Sequence, residues 1–185
     1  VLSINVAWHG YRTWLPLYLL EQRGYTEAAM SRLTTLYYLM ADIGAWTIGG
    51  LTLLLCRRGW HVAPARMLTM TIATSAALTT VTLPWLSAGW PLAIGLLLVA
   101  WGLMGTFPLY FAFSQDLSAQ HQGKVSGLLG ASAHLALAAI YPLEGGVIAW
   151  SGSYEPVLAV IGLTPGVACL ILWLYWPRTP VSTPS

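Results

Sequence analysis

Six long apolar runs, separated by short polar or Pro/Gly-marked breaks, dominate the sequence: about 3–20, 33–55, 67–86, 91–113, 124–150 and 156–176. Each is close to the roughly 20 residues that a helix needs to cross a hydrocarbon core of about 30 Å. Without water, an open backbone has no hydrogen-bond partner, so only helices or a closed barrel fit such runs. The runs are continuous rather than short alternating segments, which selects helices. The scarcity of charge agrees. Charged residues make up 8% of the 185 residues, 8 Lys+Arg and 6 Asp+Glu, against about 25% in a soluble domain. So few charges cannot cover a soluble globule, and a disordered chain would be far more polar. The expectation is an all-α membrane protein: a six-helix transmembrane half-domain over 1–176 and a Pro/Ser/Thr-rich tail over 177–185.

The same composition excludes several classes. A net charge of +2 offers no basic face for nucleic acid. Two cysteines, Cys56 and Cys169, with no C-x-x-C and no Cys/His cluster, give neither a disulfide scaffold nor a zinc site. No metal or cofactor is expected. The first run starts at once after Val1 with no basic segment before it, so it does not read as a signal peptide, and the chain is expected to be a piece of something longer.

Loop charges set an orientation. Arg57, Arg58, Arg66, Lys124 and Arg178 collect on one side, and Arg23 and Arg32 on the other. The richer side is expected in the cytoplasm, with both termini, in a multi-pass inner-membrane protein. Trp60, Trp85, Trp90, Trp150 and Trp176 fall at span ends, where interfacial aromatics belong. An internal repeat accompanies this pattern. Ala7-Trp8 and Thr13-Trp14-Leu15-Pro16-Leu17-Tyr18 in the first run parallel Ala100-Trp101 and Thr106-Phe107-Pro108-Leu109-Tyr110 in the fourth. Gly49-Gly50 in the second parallels Gly145-Gly146 in the fifth. Copies of three spans have opposite orientations, so the expected architecture is two inverted three-helix repeats, a transporter signature.

A charge at mid-membrane costs about 2.5–3.5 kcal/mol on insertion scales and therefore needs a reason. Arg12 lies about nine residues before Glu21, roughly 13 Å along a helix and near mid-depth. Asn5, His9, Arg12 and Pro16 share one helical face, with Trp8 beside them. Two readings of Arg12 stand. It binds a carboxylate or phosphate of a small organic anion, or it pairs with a buried acid, for which Asp42 in the second run is the obvious partner. Asp42, Glu144 and His134 are candidates for carrying a proton, since burial and neighbouring charge tune such groups. Glu144 could instead snorkel to the interface, and a lone histidine could simply pack. Asn5, His9, Tyr11, Tyr37, Tyr38 and Tyr110 are candidate contacts, beside Arg12, for the hydroxyls of a polyhydroxylated ligand. Gly102, Gly105, Gly127, Gly130, Gly145 and Gly146 permit close helix approach. Gly102 and Gly105, with Pro108, allow the fourth run to bend. The threonines Thr69, Thr71, Thr74, Thr79, Thr80 and Thr82 read as hydroxyls bonded to their own helix.

These residues resemble the C-terminal six-helix half of a major facilitator superfamily transporter, and within it the anion:cation symporter group of hexuronate and other sugar-acid carriers. The resemblance rests on the segment from Trp8 to Leu19 with Arg23-Gly24-Tyr25, on Asp42-Ile43-Gly44, Gly49-Gly50, Arg57-Arg58-Gly59-Trp60 and Ala65-Arg66, on Ser114-Gln115-Asp116 and Gly123-Lys124-Val125-Ser126-Gly127, and on Gly152-Ser153-Tyr154. It implies a twelve-helix fold whose N-terminal half is missing from this chain, alternating access about a central site, and proton-coupled transport. It implies a cytoplasmic gate at Gly50, Arg57 and Arg58, although the Asp-Arg pair of the superfamily's G-x-x-x-D-R-x-G-R-R motif is missing here. The expected partners are the lipid bilayer, a small organic anion and protons. Two other classes stand beside it. One is a six-span scaffold that does not transport. The other is an intramembrane serine protease, from Gly130-Ala131-Ser132-Ala133; but His134 is two residues from Ser132 on the same helix and cannot face it.

Overall fold

The computed structural model describes residues 1–116 and 120–175. The tail over 177–185, with its expected cytoplasmic placement, lies outside the described residues, as do Trp176 and Arg178. The described chain is all-helical. In order it runs α1 (Leu2–Leu17), a π-helical turn (Tyr18–Gln22), α2 (Glu27–Arg57), α3 (Val62–Ala77) continued by a 3-10 segment (Leu78–Trp85), α4 (Trp90–Gly105), α5 (Phe107–Asp116), α6 (Gln122–Ser151) and α7 (Glu155–Tyr175). Five helical segments are long and apolar enough to cross a membrane: Glu27–Arg57, Val62–Trp85, Trp90–Asp116, Gln122–Ser151 and Glu155–Tyr175. α1 has 16 residues and the π turn adds 5, so the sixth candidate is a composite.

The breaks follow from local chemistry. Thr26 caps α2, its hydroxyl accepting from the Ala29 amide at 3.3 Å. Gly152, with φ 66°, ends α6 in the left-handed region that a glycine adopts without strain. Pro16 cannot donate to the α1 ladder, and the π turn follows directly. Pro108 likewise has no amide to donate, and the fourth run breaks at Thr106, whose hydroxyl donates to Leu103 O at 2.6 Å. That is the bend expected of Gly102, Gly105 and Pro108.

Packing depends on where backbones touch. α4 is wedged between α2 and α3. A side chain at Gly44 would run into the Trp101 carbonyl, and one at Gly102 into the backbone of Ala73 and Ala77. Gly105 sits against Ile48 of α2 and Ala73 of α3. On the other flank α1 lies along α7, with Gly10 against Ile161 and the Thr164 hydroxyl donating to Ser3 O at 2.6 Å. Van der Waals contact of this closeness is what holds apolar helices together when no hydrophobic gradient separates them. The expectation for the other glycines changes. A side chain at Gly127, Gly130 or Gly146 would enter open space, and one at Gly145 would meet only the Trp14 ring, at 3.7 Å. Gly44, Gly10 and Gly162 carry close approaches instead.

α6 is the least covered helix. Of its 30 residues, only Ala133, Leu137 and Glu144 are buried. Most threonines behave as expected, Thr69, Thr71, Thr79 and Thr82 donating to their own helix. Thr80 departs. It donates across to Leu158 O of α7 at 3.2 Å and also bonds the Tyr11 hydroxyl. Thr74 is buried with its hydroxyl unpartnered among the described residues.

The glycine contacts yield a direct comparison. Gly44→Leu overpacks a backbone-to-backbone contact and should lower stability by about 1–3 kcal/mol or more, whereas Gly127→Leu enters open space and should leave it unchanged. Thermal unfolding of the two variants in detergent micelles measures the difference.

Candidate functional site

The polar stripe of α1 turns to the open side of the bundle. Ala7, Tyr11 and Leu15 bury the opposite face, while Arg12 and Thr13 are exposed and His9 is half-buried. Asn5 is buried at the edge of the stripe, its amide donating to Val1 O at 3.0 Å and lying beside the Tyr110 hydroxyl. His9 meets His134 of α6, ring centroids 5.5 Å apart at 68°. His134 Nδ1 donates to Gly130 O at 2.9 Å. Ser132 donates back to Leu129 O at 3.0 Å.

An aromatic wall flanks the stripe. Trp8 stacks on Tyr37 at 6.2 Å and meets Tyr38 and Phe107 edge-on at 5.8 and 6.0 Å. Phe107 leads on to Tyr110 at 5.1 Å, and Tyr110 stacks on Phe111 at 4.2 Å. Thus Tyr38 and Tyr110 stand at this wall, half-buried. Two expected ligand contacts sit elsewhere. Tyr11 is fully buried, its hydroxyl taken by Thr80. It faces the interior because its position on α1 follows Ala7 and precedes Leu15 on the core side. Tyr37 is 1% exposed, sandwiched between Trp8 and Tyr11, and its hydroxyl is unpartnered among the described residues. Trp8, noted in the sequence as a repeat position and a neighbour of the stripe, is the centre of the wall.

The two buried-acid expectations separate. Asp42 is exposed on α2, one turn along from Tyr38, and no ion pair joins it to Arg12 among the described residues. The reason is register: Ala41, Gly44 and Ile48 claim the buried face of α2, which leaves Asp42 on its open side. Glu144 is 6% exposed, so it does not snorkel. The Trp14 indole donates to its Oε2 at 2.7 Å, and its Oε1 is unpartnered among the described residues. Trp14 was legible as a repeat position but not as this partner.

Each end of the bundle carries its own ionic contacts. At one end Arg66 of α3 pairs with Asp116 of α5 and lies 5.7 Å from the Phe113 ring centroid. The expected gate residues Arg57, Arg58 and Gly50 are exposed near the same end, with Gly50 facing open space. Among the described residues the interhelix ion pair there is Arg66 with Asp116; the sequence offers Arg66 as a loop charge and both residues in the family resemblance, but not as a pair. At the other end Arg23 donates to Tyr18 Oη at 2.7 Å and to Leu83 O at 2.6 Å, and sits 3.8 Å from Glu155. Gln22 donates to Ser153 Oγ at 3.0 Å and accepts from the Tyr154 amide at 2.9 Å. The Tyr154 hydroxyl donates to Glu21 at 2.5 Å. This cluster pins the π turn of α1 to the α6–α7 turn and to the end of the 3-10 segment.

Comparisons with known protein families and with curated proteins found no match for this chain.

Two measurements follow from these contacts. Glu144→Gln keeps an acceptor for Trp14 and should be nearly neutral in stability, whereas Trp14→Phe leaves a buried carboxyl with no donor and should cost about 1–3 kcal/mol, read by thermal unfolding in detergent. At the Arg23 end, the hydrogen bond to Glu21 holds the phenol proton and pushes Tyr154 from 10.0 up to about 12. Because the folded value is raised, this contribution is complete below about pH 10 and is lost as the pH rises through about 12. The phenolate absorbance that disappears in Tyr154→Phe should accordingly titrate near pH 12 in the intact protein and at lower pH in Glu21→Gln.

Proposed function

We propose that this chain is half of a twelve-helix major facilitator transporter that carries a small organic anion, such as a hexuronate or other sugar acid, with protons by alternating access. The observation that carries the reading is Arg12. It is a permanent cation in the middle of an apolar helix, exposed on a face shared with Asn5 and His9, and without a carboxylate partner among the described residues. Hydrocarbon cannot accommodate it cheaply, whereas a water-filled path with an anionic ligand can. The flanking wall of Trp8, Tyr38, Phe107 and Tyr110 suits a sugar ring, which presents C–H groups to aromatic faces and hydroxyls to phenols.

The arrangement of helices supports the same reading. α1 lies on α7 as α4 lies on α3, the pairing that two inverted three-helix copies would make. The poorly covered faces of α2 and α6 suit contact with a second six-helix half. Arg57, Arg58 and Gly50 would then lie near a cytoplasmic gate braced by Arg66 and Asp116, in an inner membrane with both termini of this segment inside.

Uptake into proteoliposomes that hold this chain together with the second six-helix half, under an inward proton gradient, tests the proposal. Labelled glucuronate should accumulate, and a protonophore should abolish the accumulation. Arg12→Ala should reduce uptake about tenfold or more, the effect of losing one charge-assisted hydrogen bond worth about 1.5–3 kcal/mol, with Arg12→Lys intermediate. Uptake indifferent to Arg12→Ala would sink the reading.

A further inference from the structure

We propose that His9 and His134 act together as the group that takes up the proton accompanying the anion at Arg12. This inference rests on the anion-transport reading and deepens it. The sequence presents the two residues as separate lone histidines far apart in the chain. The fold brings them together across the α1–α6 interface, ring centroids 5.5 Å apart. His134 donates Nδ1–H to Gly130 O at 2.9 Å, which orients the ring and leaves Nε2 as its free nitrogen. His9 lies less than one turn from Arg12 on α1, close enough for the two charges to interact.

Arg12 is always charged. In a low dielectric, a proton on either imidazole adds a second cation beside it, which is unfavourable while the site is empty. An anion held by Arg12 reverses the balance, because it attracts guanidinium and imidazolium together. Proton and anion then favour each other's binding, and the coupling is reciprocal. The proton comes from bulk water and returns to it on the other side, and no bond within the anion changes. Release follows from the same linkage: where the pair loses its proton, the anion is held more weakly.

The other titratable groups on the surrounding helices are committed or displaced. On α6, Glu144 is bound by Trp14, Lys124 lies near the helix start and Tyr141 is half-buried in the core margin. On α1, Tyr11 is bonded to Thr80. On α2, Tyr37 is buried between rings, Tyr38 lies on the edge of Trp8, and Asp42 is exposed one turn beyond it. On α5, Tyr110 is stacked on Phe111 and Asp116 is paired with Arg66. On α7, Glu155 faces Arg23, Cys169 faces Thr71 and Tyr175 is at the far end. α4 carries no titratable side chain.

Calorimetric titration of the full-length protein in detergent with glucuronate, in buffers of different ionisation enthalpy, tests this. The wild type should take up a fraction of a proton per anion near pH 6.5, and its affinity should rise about tenfold from pH 7.5 to 5.5. His9→Gln/His134→Gln should still bind, with no proton uptake and a flat pH profile. Unchanged proton uptake in that variant, or none in the wild type, overturns the histidine pair while leaving the anion reading in place. Wild-type protein that binds no glucuronate, or binding that survives Arg12→Ala, overturns the anion reading and the pair with it. A second measurement needs no variant. In 15N-histidine spectra of the wild type, glucuronate should move the titration of two of the four histidines to higher pH, and if none moves the proposal fails.

Discussion

A polar atom on an apolar helix has three outlets: its own backbone, a neighbouring helix, or an open face of the bundle. The structure sorts almost every polar side chain by that rule, because a buried donor or acceptor left without a partner costs more than a single hydrogen bond contributes. Thr69 and Thr71 of α3 take the first outlet and bond one turn back. Tyr11 with Thr80, Trp14 with Glu144 and Trp101 with Thr47 take the second. Arg12 and Asp42 take the third, His9 reaches its edge, and the exposed His134 also bonds Gly130 O of its own helix. The open face is therefore where uncommitted chemistry accumulates.

Close backbone contact makes this sorting possible. α4 can sit between α2 and α3 only because Gly44, Gly102 and Gly105 remove the side chains at the crossings. That packing turns α2 so that Tyr37, Ala41, Gly44 and Ile48 look inward, and Asp42 is carried outward as a consequence. A pair with Arg12 would require α2 to rotate and give up the Gly44 crossing. Packing geometry outweighs a single ion pair, whose attraction is offset by the cost of desolvating both partners.

Glu144 illustrates the opposite balance. α6 is covered along a narrow strip only, and one of the three residues it buries is a carboxylic acid. The indole N–H of Trp14 compensates one oxygen. The Arg23 cluster shows a third solution, in which a guanidinium satisfies two backbone carbonyls at the end of a helix while holding a phenol and standing near a carboxylate. It fixes one end of α1 beyond its π turn, while the stripe of Asn5, His9 and Arg12 lies toward the other end.

Much of this was legible in the residues. Continuous apolar runs dictate helices, since backbone hydrogen bonding within a helix is a local matter set by a few neighbouring residues. Proline and glycine positions mark the breaks for the same reason, and the 3.6-residue period places Asn5, His9 and Arg12 on one face whatever lies opposite. The pairings were not legible. Trp14 with Glu144, Arg66 with Asp116, His9 with His134, and Asp42 apart from Arg12 each depend on how one helix is rotated and shifted against another. That rotation is set by the summed van der Waals fit of many side chains and by where glycine lets backbones meet, and no local pattern in the sequence encodes the sum.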